Sequence, residues 1–223
     1  MMSKNIALRV LTPAYVGRAV DCIANSFSDD PFSKVSGLQA GDWAAMSGMF
    51  VERAATKDLS VIAVNTTNGN VEGVMLNEDW KEKKPEEYSK LSEKWRPIRA
   101  IFNKLHISYK ARHSRYIQPH EILHPLYFSC IRPELRRQGL IGQLFNKSLE
   151  IASDYHFDTV VCESSTTSTA IACGQLGFRE IAQVEYRTFL YKGETVFYPL
   201  PGMNPEYQKL TIMERPIHAG LVV

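Results

Sequence analysis

Residues 126–142, LYFSCIRPELRRQGLIG, gather the residue types that a phosphate-bearing ligand needs. An apolar, β-prone run, Leu126 to Ile131, passes through Arg132-Pro133-Glu134 into Arg136-Arg137-Gln138-Gly139-Leu140-Ile141-Gly142-Gln143. Leu140, Leu144, Ser148 and Ile151 then recur one turn apart, which predicts an amphipathic helix. A strand feeding a basic, glycine-containing loop at a helix N-terminus presents bare backbone N–H groups and the positive helix end to an anion. Gly139 and Gly142 permit close backbone approach, because a Cβ there would hold the ligand away. The spacing is neither G-x-G-x-x-G nor a P-loop, since no Gly-Lys-Ser/Thr follows. An ordinary strand-turn-helix with an exposed basic turn accounts for the same residues, and on this loop alone both readings stand.

A second constellation is His120-Glu121-Ile122-Leu123-His124, which formally matches the zinc-protease signature H-E-x-x-H. That chemistry needs both histidines on one helical face with the glutamate as base. Pro119 and Pro125 bracket the segment, and Pro125 forbids the helix from continuing. As a strand, it would set the two histidines ~13 Å apart at ~3.3 Å per residue. No third ligand is evident, so no metal is expected.

These segments must be held by a scaffold, and 223 residues suffice for a single domain (1–223) with a self-sufficient core. The 44% hydrophobic and 22% charged fractions are those of a globular chain. A net charge of +2 makes no case for nucleic acid or membrane. Cys22, Cys130, Cys162 and Cys173 form no C-x-x-C pair and read as reduced thiols. With neither a signal peptide nor an ~18-residue apolar stretch, a cytoplasmic location is expected.

Along the chain, Ile6, Leu8 and Val10 alternate as a first strand, and Thr12-Pro13 starts a helix striped by Val16, Val20, Ile23 and Phe27. Ser28-Asp29-Asp30-Pro31 breaks it, and a second helix spans Asp42 to Ala55 with Trp43, Met46, Phe50 and Val51 inward. Residues 59–64 and 71–76 form a hairpin around Asn65-Thr-Thr-Asn-Gly-Asn70. Residues 80–116 carry eleven Lys/Arg against four Glu and keep helical apolar spacing broken at Pro97. They read as one or two inserted helices whose basic face is solvated. Then come a strand at 159–162, a helix from Ser168 closed by Gly177, and a long strand from Phe178 to Leu190. Thr195 to Tyr198 extends that strand or follows a Lys192-Gly193 turn, and Leu210 to Met213 is the last. This order predicts an α/β (α+β) fold with a mixed central sheet flanked by helices.

Arg136 and Gly139 resemble the Arg/Gln-x-x-Gly-x-Gly/Ala loop of the GCN5-related N-acetyltransferases, with Ile141 where Gly or Ala is usual. Leu176-Gly177-Phe178 resembles the end of that superfamily's Tyr-x-Lys-x-Gly-Phe segment, although Cys173 and Gln175 replace the Tyr and Lys. The finer likeness is to invertebrate-type arylalkylamine N-acetyltransferases. It rests on Asp29-Asp30-Pro31, on Arg136-Arg137-Gln138-Gly139-Leu140-Ile141-Gly142-Gln143-Leu144, on the run Ser164 to Ala170, and on Gly193 to Pro199.

The resemblance implies acetyl-CoA as co-substrate, held by the backbone of Ser129, Cys130 and Ile131 and by the loop from Arg136 to Gln143. It implies a small primary amine, arylalkylamine-like, as acceptor. A polyamine, a protein lysine, or CoA binding without turnover are the alternatives. Asp30 is the expected general base, acting through water. The serine positions map near Ser165 and Thr169, which become candidate proton donors to the leaving thiolate. Asp30 also suits a helix or turn cap before Pro31, and Ser165 or Thr169 the N-cap of the following helix. The usual acid is missing at Cys173. The paired strand histidines of vertebrate-type enzymes do not transfer, because loop alignment lands on Pro125 and Tyr127 and leaves His124 out of step by one residue. Tyr127 is then a candidate pocket residue.

Overall fold

The computed structural model describes residues 5–113, 116–130 and 133–217. Seven strands form one sheet in the order β1-β2-β3-β4-β5-β7-β6. They are β1 (Ile6–Val10), β2 (Val61–Asn65), β3 (Val71–Asp79), β4 (Ile122–Cys130), β5 (Thr159–Ser164), β6 (Arg179–Glu185) and β7 (Lys209–Pro216). All neighbours are antiparallel except β4 and β5, so the sheet is mixed as expected.

Helices α1 (Val16–Phe27), α3 (Ala40–Ala54) and α4 (Arg96–Lys110) cover one face, burying Ile23, Phe50 and Ile101 against Ile62, Val74 and Ile212. On the other face α6 (Leu140–Asp154) and α7 (Thr167–Gln175) bury Leu144, Phe145 and Cys173 against Met75, Leu123 and Cys162. Alternation along the strands divides these two cores. Gly73 lets α6 seat closely, since a Cβ there would lie 3.2 Å from Leu140, from Leu144 and from the Ser129 carbonyl.

Several expectations need correction. Pro31 opens a helix, α2 (Pro31–Ser36), because its fixed φ suits a first turn. Pro97 likewise sits in the first turn of α4 instead of breaking it. Residues 86–95 form two short 3₁₀ turns, so the 80–116 insertion holds one long helix. Its apolar side, Ile98, Ile101, Leu105 and Tyr109, is buried in the main core. Residues Pro133–Arg137 form a short helix, α5, where an open loop was expected. Strand β6 ends at Glu185, and residues 195–198 are a turn. Here Lys192 and Gly193 both take positive φ and reverse the chain.

The sheet opens between β4 and β5, and the sequence supplies two reasons. Only Ile122–Thr159 and Leu123–Val160 pair across this boundary. Thr159 N–H donates to the Glu121 carbonyl (3.1 Å), so the backbone groups of odd-numbered residues face β5 at this end of β4. The next such donor would belong to residue 125, which is proline and has none. The register with β3 then slips: Asn77 faces Pro125 but Leu76 faces Tyr127, making Leu126 an extra residue on β4. Beyond this bulge the parity is exchanged. Tyr127 and Ser129 pair with β3, and the amides of Phe128 and Cys130 face the open edge.

Candidate active site

At the lower end of the opening, α5 leads through Gly139 into α6. Gly139 is the N-cap with φ +78°, a left-handed conformation that costs a Cβ-bearing residue energy. Not every amide of the expected loop is available: Gln138 donates to Glu134, Gly139 to Arg136 and Gln143 to Gly139. Leu140, Ile141 and Gly142 form the first turn of α6, whose N–H groups have no intrahelical acceptor. The Leu140 side chain is buried in the core, so only its backbone can serve a ligand. Arg137 and Gln138 are exposed. Ile131 lies outside the described residues.

Above this turn a cleft of about 400 Å³ follows the open edge. Asp30, Tyr127, Ser129, Arg136, Ile141, Ser165 and Thr169 all line it, so residues far apart in sequence converge. Asp30 caps α2: one carboxylate oxygen accepts from Phe32 N–H (2.8 Å) and the other from the Tyr207 hydroxyl. Burial raises its pKa above the ordinary value, although both hydrogen bonds and the charges of Lys34 and Arg136 oppose the rise. Burial and the neighbouring Asp30 carboxylate push the Tyr207 phenol up in turn.

Ser165 and Thr169 do not cap α7. Thr166 does, accepting from Thr169 N–H (3.3 Å) and donating its hydroxyl to the Thr169 oxygen (2.8 Å). The Thr169 hydroxyl proton is therefore free for another acceptor. Glu206 also serves this helix, accepting from Ser168 N–H (2.8 Å), and lines the cleft. The buried Ser26 hydroxyl on the cleft wall has no hydrogen-bond partner. Cys173 is fully buried 3.9 Å from the Cys162 sulfur, on the opposite face of the sheet.

A second chamber of about 710 Å³ abuts the cleft and shares Trp43, Ile98, Phe102, Leu126, Tyr127 and Glu163 with it. It is walled by aromatic rings, among them Phe50, Tyr88 and Trp95. The basic insertion, read from sequence as a solvated face, supplies one whole side of this chamber through Tyr88, Arg99, Asn103 and His106. Burial pushes the Tyr127 phenol well up, so it stays neutral. Of the two expectations about His124, one holds and one changes. His120 lies in an exposed turn with φ +64° while His124 is buried in β4, so the H-E-x-x-H segment is no helix. The bulge at Leu126 then brings His124 and Tyr127 onto the same chamber, which parity along a regular strand would forbid.

At the chamber floor, the buried Glu163 carboxylate meets His106 and His124. Burial alone would raise its pKa, but the two imidazoles hold it well below the carboxylate range. Sequence reading missed Glu163, His106, Glu206, Ser26 and Tyr207. The only signal was His106 lying one turn from Phe102 on an otherwise apolar stripe.

No family model and no curated protein matches the chain. Solved structures do. The C-terminal condensation domain of Ebony, in complex with β-alanyl-dopamine, superposes with a TM-score of 0.82 at 13% identity, over 97% of this chain and 100% of that one. Arylalkylamine N-acetyltransferase 2 from Aedes aegypti gives 0.77 at 20% identity, covering 96% and 100%. A Drosophila melanogaster polyamine N-acetyltransferase that forms N-acetylagmatine gives 0.72 at 14%, covering 95% and 99%. The chain thus has the fold of the GCN5-related N-acetyltransferases, with a mixed seven-stranded sheet flanked by helices. Arylalkylamine, agmatine and polyamine enzymes are among the proteins built on it.

Proposed function

We propose that this chain transfers an acetyl group from acetyl-CoA to the nitrogen of a small primary amine of the arylalkylamine type. One observation carries the reading: the opened β4 edge joins a glycine-capped helix terminus beside Arg136 to an aromatic chamber across the sheet. The first turn of α6 and Arg136 take the pyrophosphate. The outward amides of Phe128 and Cys130 face the thioester carbonyl and stabilise charge as its oxygen becomes anionic.

The amine nitrogen attacks the thioester carbon, the C–N bond forms and the C–S bond breaks. Asp30 takes up, through water, the proton released from nitrogen as the C–N bond forms. The thiolate, with an ordinary pKa of ~8.5, gains a proton as it departs. Ser165 and Thr169 are its donors, since Thr166 relieves both of capping α7.

An arylalkylamine matches the chamber better than a polyamine. The walls are aromatic, and the polar lining includes Lys84, Arg96 and Arg99 but a single carboxylate among the described residues, Glu163. Lys84 and Arg96 are paired with Glu78 and Glu93, so Arg99 is the cation that would repel the distal charge of an extended polycation. Thiol release from acetyl-CoA, measured with phenethylamine, tyramine, spermidine, agmatine and a lysine peptide, tests this. Release with the aryl amines above the others supports the reading, and no release with any amine refutes it.

A further inference from the structure

Glu163 is the only carboxylate among the described residues that lines both cavities. It stands where an amine in the chamber would meet a thioester in the cleft. His106 Nε2 contacts one carboxylate oxygen from α4. His124 Nε2 lies 3.0 and 2.9 Å from the two oxygens, from β4. A carboxylate is acceptor-only when ionised, so both imidazoles must donate Nε2–H to it. That fixes their tautomers and leaves each Nδ1 with a lone pair. His124 is sealed at 4% side-chain exposure, whereas His106 keeps 24% and lines the chamber. Trp80 packs against both rings, at centroid distances of 4.8 and 4.7 Å, and fixes their planes.

The transfer chemistry leaves a task that Asp30 does not cover. An alkylammonium holds two protons more than the attacking nitrogen finally keeps in the amide. One leaves as the C–N bond forms. The other must leave beforehand, because a nitrogen without a lone pair cannot attack.

We propose that His106, oriented and countercharged by Glu163, takes this first proton, with His124 as a positioning residue. The inference rests on the acyl-transfer reading. An ammonium entering among the aromatic rings gives a proton to His106 Nδ1. The imidazolium stays paired with the Glu163 carboxylate, and the neutral amine attacks. His106 returns the proton to solvent through its exposed edge. The second proton passes through Asp30, and one proton ends on the thiol. The other titratable side chains that line this chamber are Tyr127 from β4, Arg96 and Arg99 from α4, and Lys84, Tyr88 and Tyr191 from the connecting segments.

The same three side chains are also a His-His-Glu set of metal-ligand type. Tetrahedral ligands at ~2.0–2.1 Å from zinc would stand ~3.3 Å apart. The separations here are those of direct hydrogen bonds, which an ion would have to displace.

The test compares two amines at pH 7: phenethylamine, which arrives as the cation, and its β,β-difluoro analogue, which arrives largely neutral. His106→Gln and Glu163→Gln should lower kcat/KM for phenethylamine by ~10²-fold or more, the usual worth of a positioned proton acceptor. With the difluoro amine both variants should stay within a few-fold of wild type. Asp30→Asn should lose activity with both amines. Equal losses on the two amines in the His106 and Glu163 variants, or no loss on either, overturn the relay. Stoichiometric zinc with chelator-sensitive turnover overturns it in favour of a metal site. A wild-type protein that releases no thiol with either amine overturns the acyl-transfer reading itself. His106→Gln changes a residue that is only partly buried, so the test survives if Glu163→Gln folds poorly.

Discussion

Asp30 has a structural and a proposed chemical duty, and substitutions of different kind separate them. Asp30→Ala removes the acceptor for Phe32 N–H, a loss of cap worth ~1 kcal/mol. It also leaves the buried Tyr207 hydroxyl without its partner, at ~1–3 kcal/mol. The expected total is ~2–4 kcal/mol, a fall in Tm of roughly 5–15 °C for a chain of this size. Asp30→Asn keeps an oxygen for the cap, and asparagine caps about as well as aspartate. Its amide can donate to the Tyr207 oxygen. Because burial raises the Asp30 pKa, stability tied to its protonated form is present below the ordinary aspartate value and lost as pH rises through the raised one. At pH 7 the ionised group is a liability that asparagine lacks, so Asp30→Asn should melt within ~3 °C of wild type. The wild type should gain on that variant as pH falls from 8 to 4. Activity should divide differently: both variants lose ~10²–10⁴ in kcat/KM while acetyl-CoA binding is retained. The measurements are melting curves at several pH values, steady-state thiol release and an acetyl-CoA thermal shift. Wild-type kcat/KM in Asp30→Asn, or activity losses that merely follow Tm, would refute the base assignment.

Gly139→Asp should abolish stabilisation by acetyl-CoA, since a carboxylate at the helix terminus repels phosphate. No atom lies within 4 Å of a Cβ there, so melting should fall only by the backbone strain. Arg136→Ala should weaken acetyl-CoA binding by about 1–3 kcal/mol, read by calorimetry. Gly73→Val should destabilise by ~1–3 kcal/mol and raise the acetyl-CoA Kd, because overpacking pushes the first turn of α6 off the sheet. Glu163 has a lowered pKa, so its ionised form contributes stability above the ordinary glutamate value that is lost as pH falls toward the folded one. Glu163→Gln should therefore flatten the acid limb of the stability curve below about pH 4.5, and an unchanged limb in an acid melting series would show that the ion pairs carry no stability.

The scaffold was legible where periodicity was strong. Residues 59–64 and 71–76 are apolar runs on either side of turn residues, and Leu140, Leu144 and Ile151 mark α6. The glycine-opened start of α6 was legible as well, because a glycine at a helix start has local causes. The aromatic chamber was not. His106 and Glu163 are separated by 57 residues and meet only because α4, packed across β6 and β7, reaches the end of β5. Nothing local in a basic run says that its far side walls a cavity. The strand parity of His124 failed for a different reason: a bulge is a change in counting, and Leu126 looks like any other strand residue. Tyr207 could be placed beside Asp30 only by knowing that β7 inserts between β5 and β6.

The extra residue in β4 suggests a recipe for placing a slot in a continuous sheet. An odd insertion swaps which edge of a strand carries the unpaired amides, and an even one restores it. Combined with an imino acid just ahead, it turns the remaining half-strand from a hydrogen-bonded neighbour into a row of outward donors without any added loop. The opening is then governed by one residue's number and its neighbour's identity. Leu126 should tolerate many replacements, whereas deleting it would leave Pro125 opposite Asn77 and Tyr127 opposite Leu76 with no extra residue, and so remove the bulge and the local bend it gives β4.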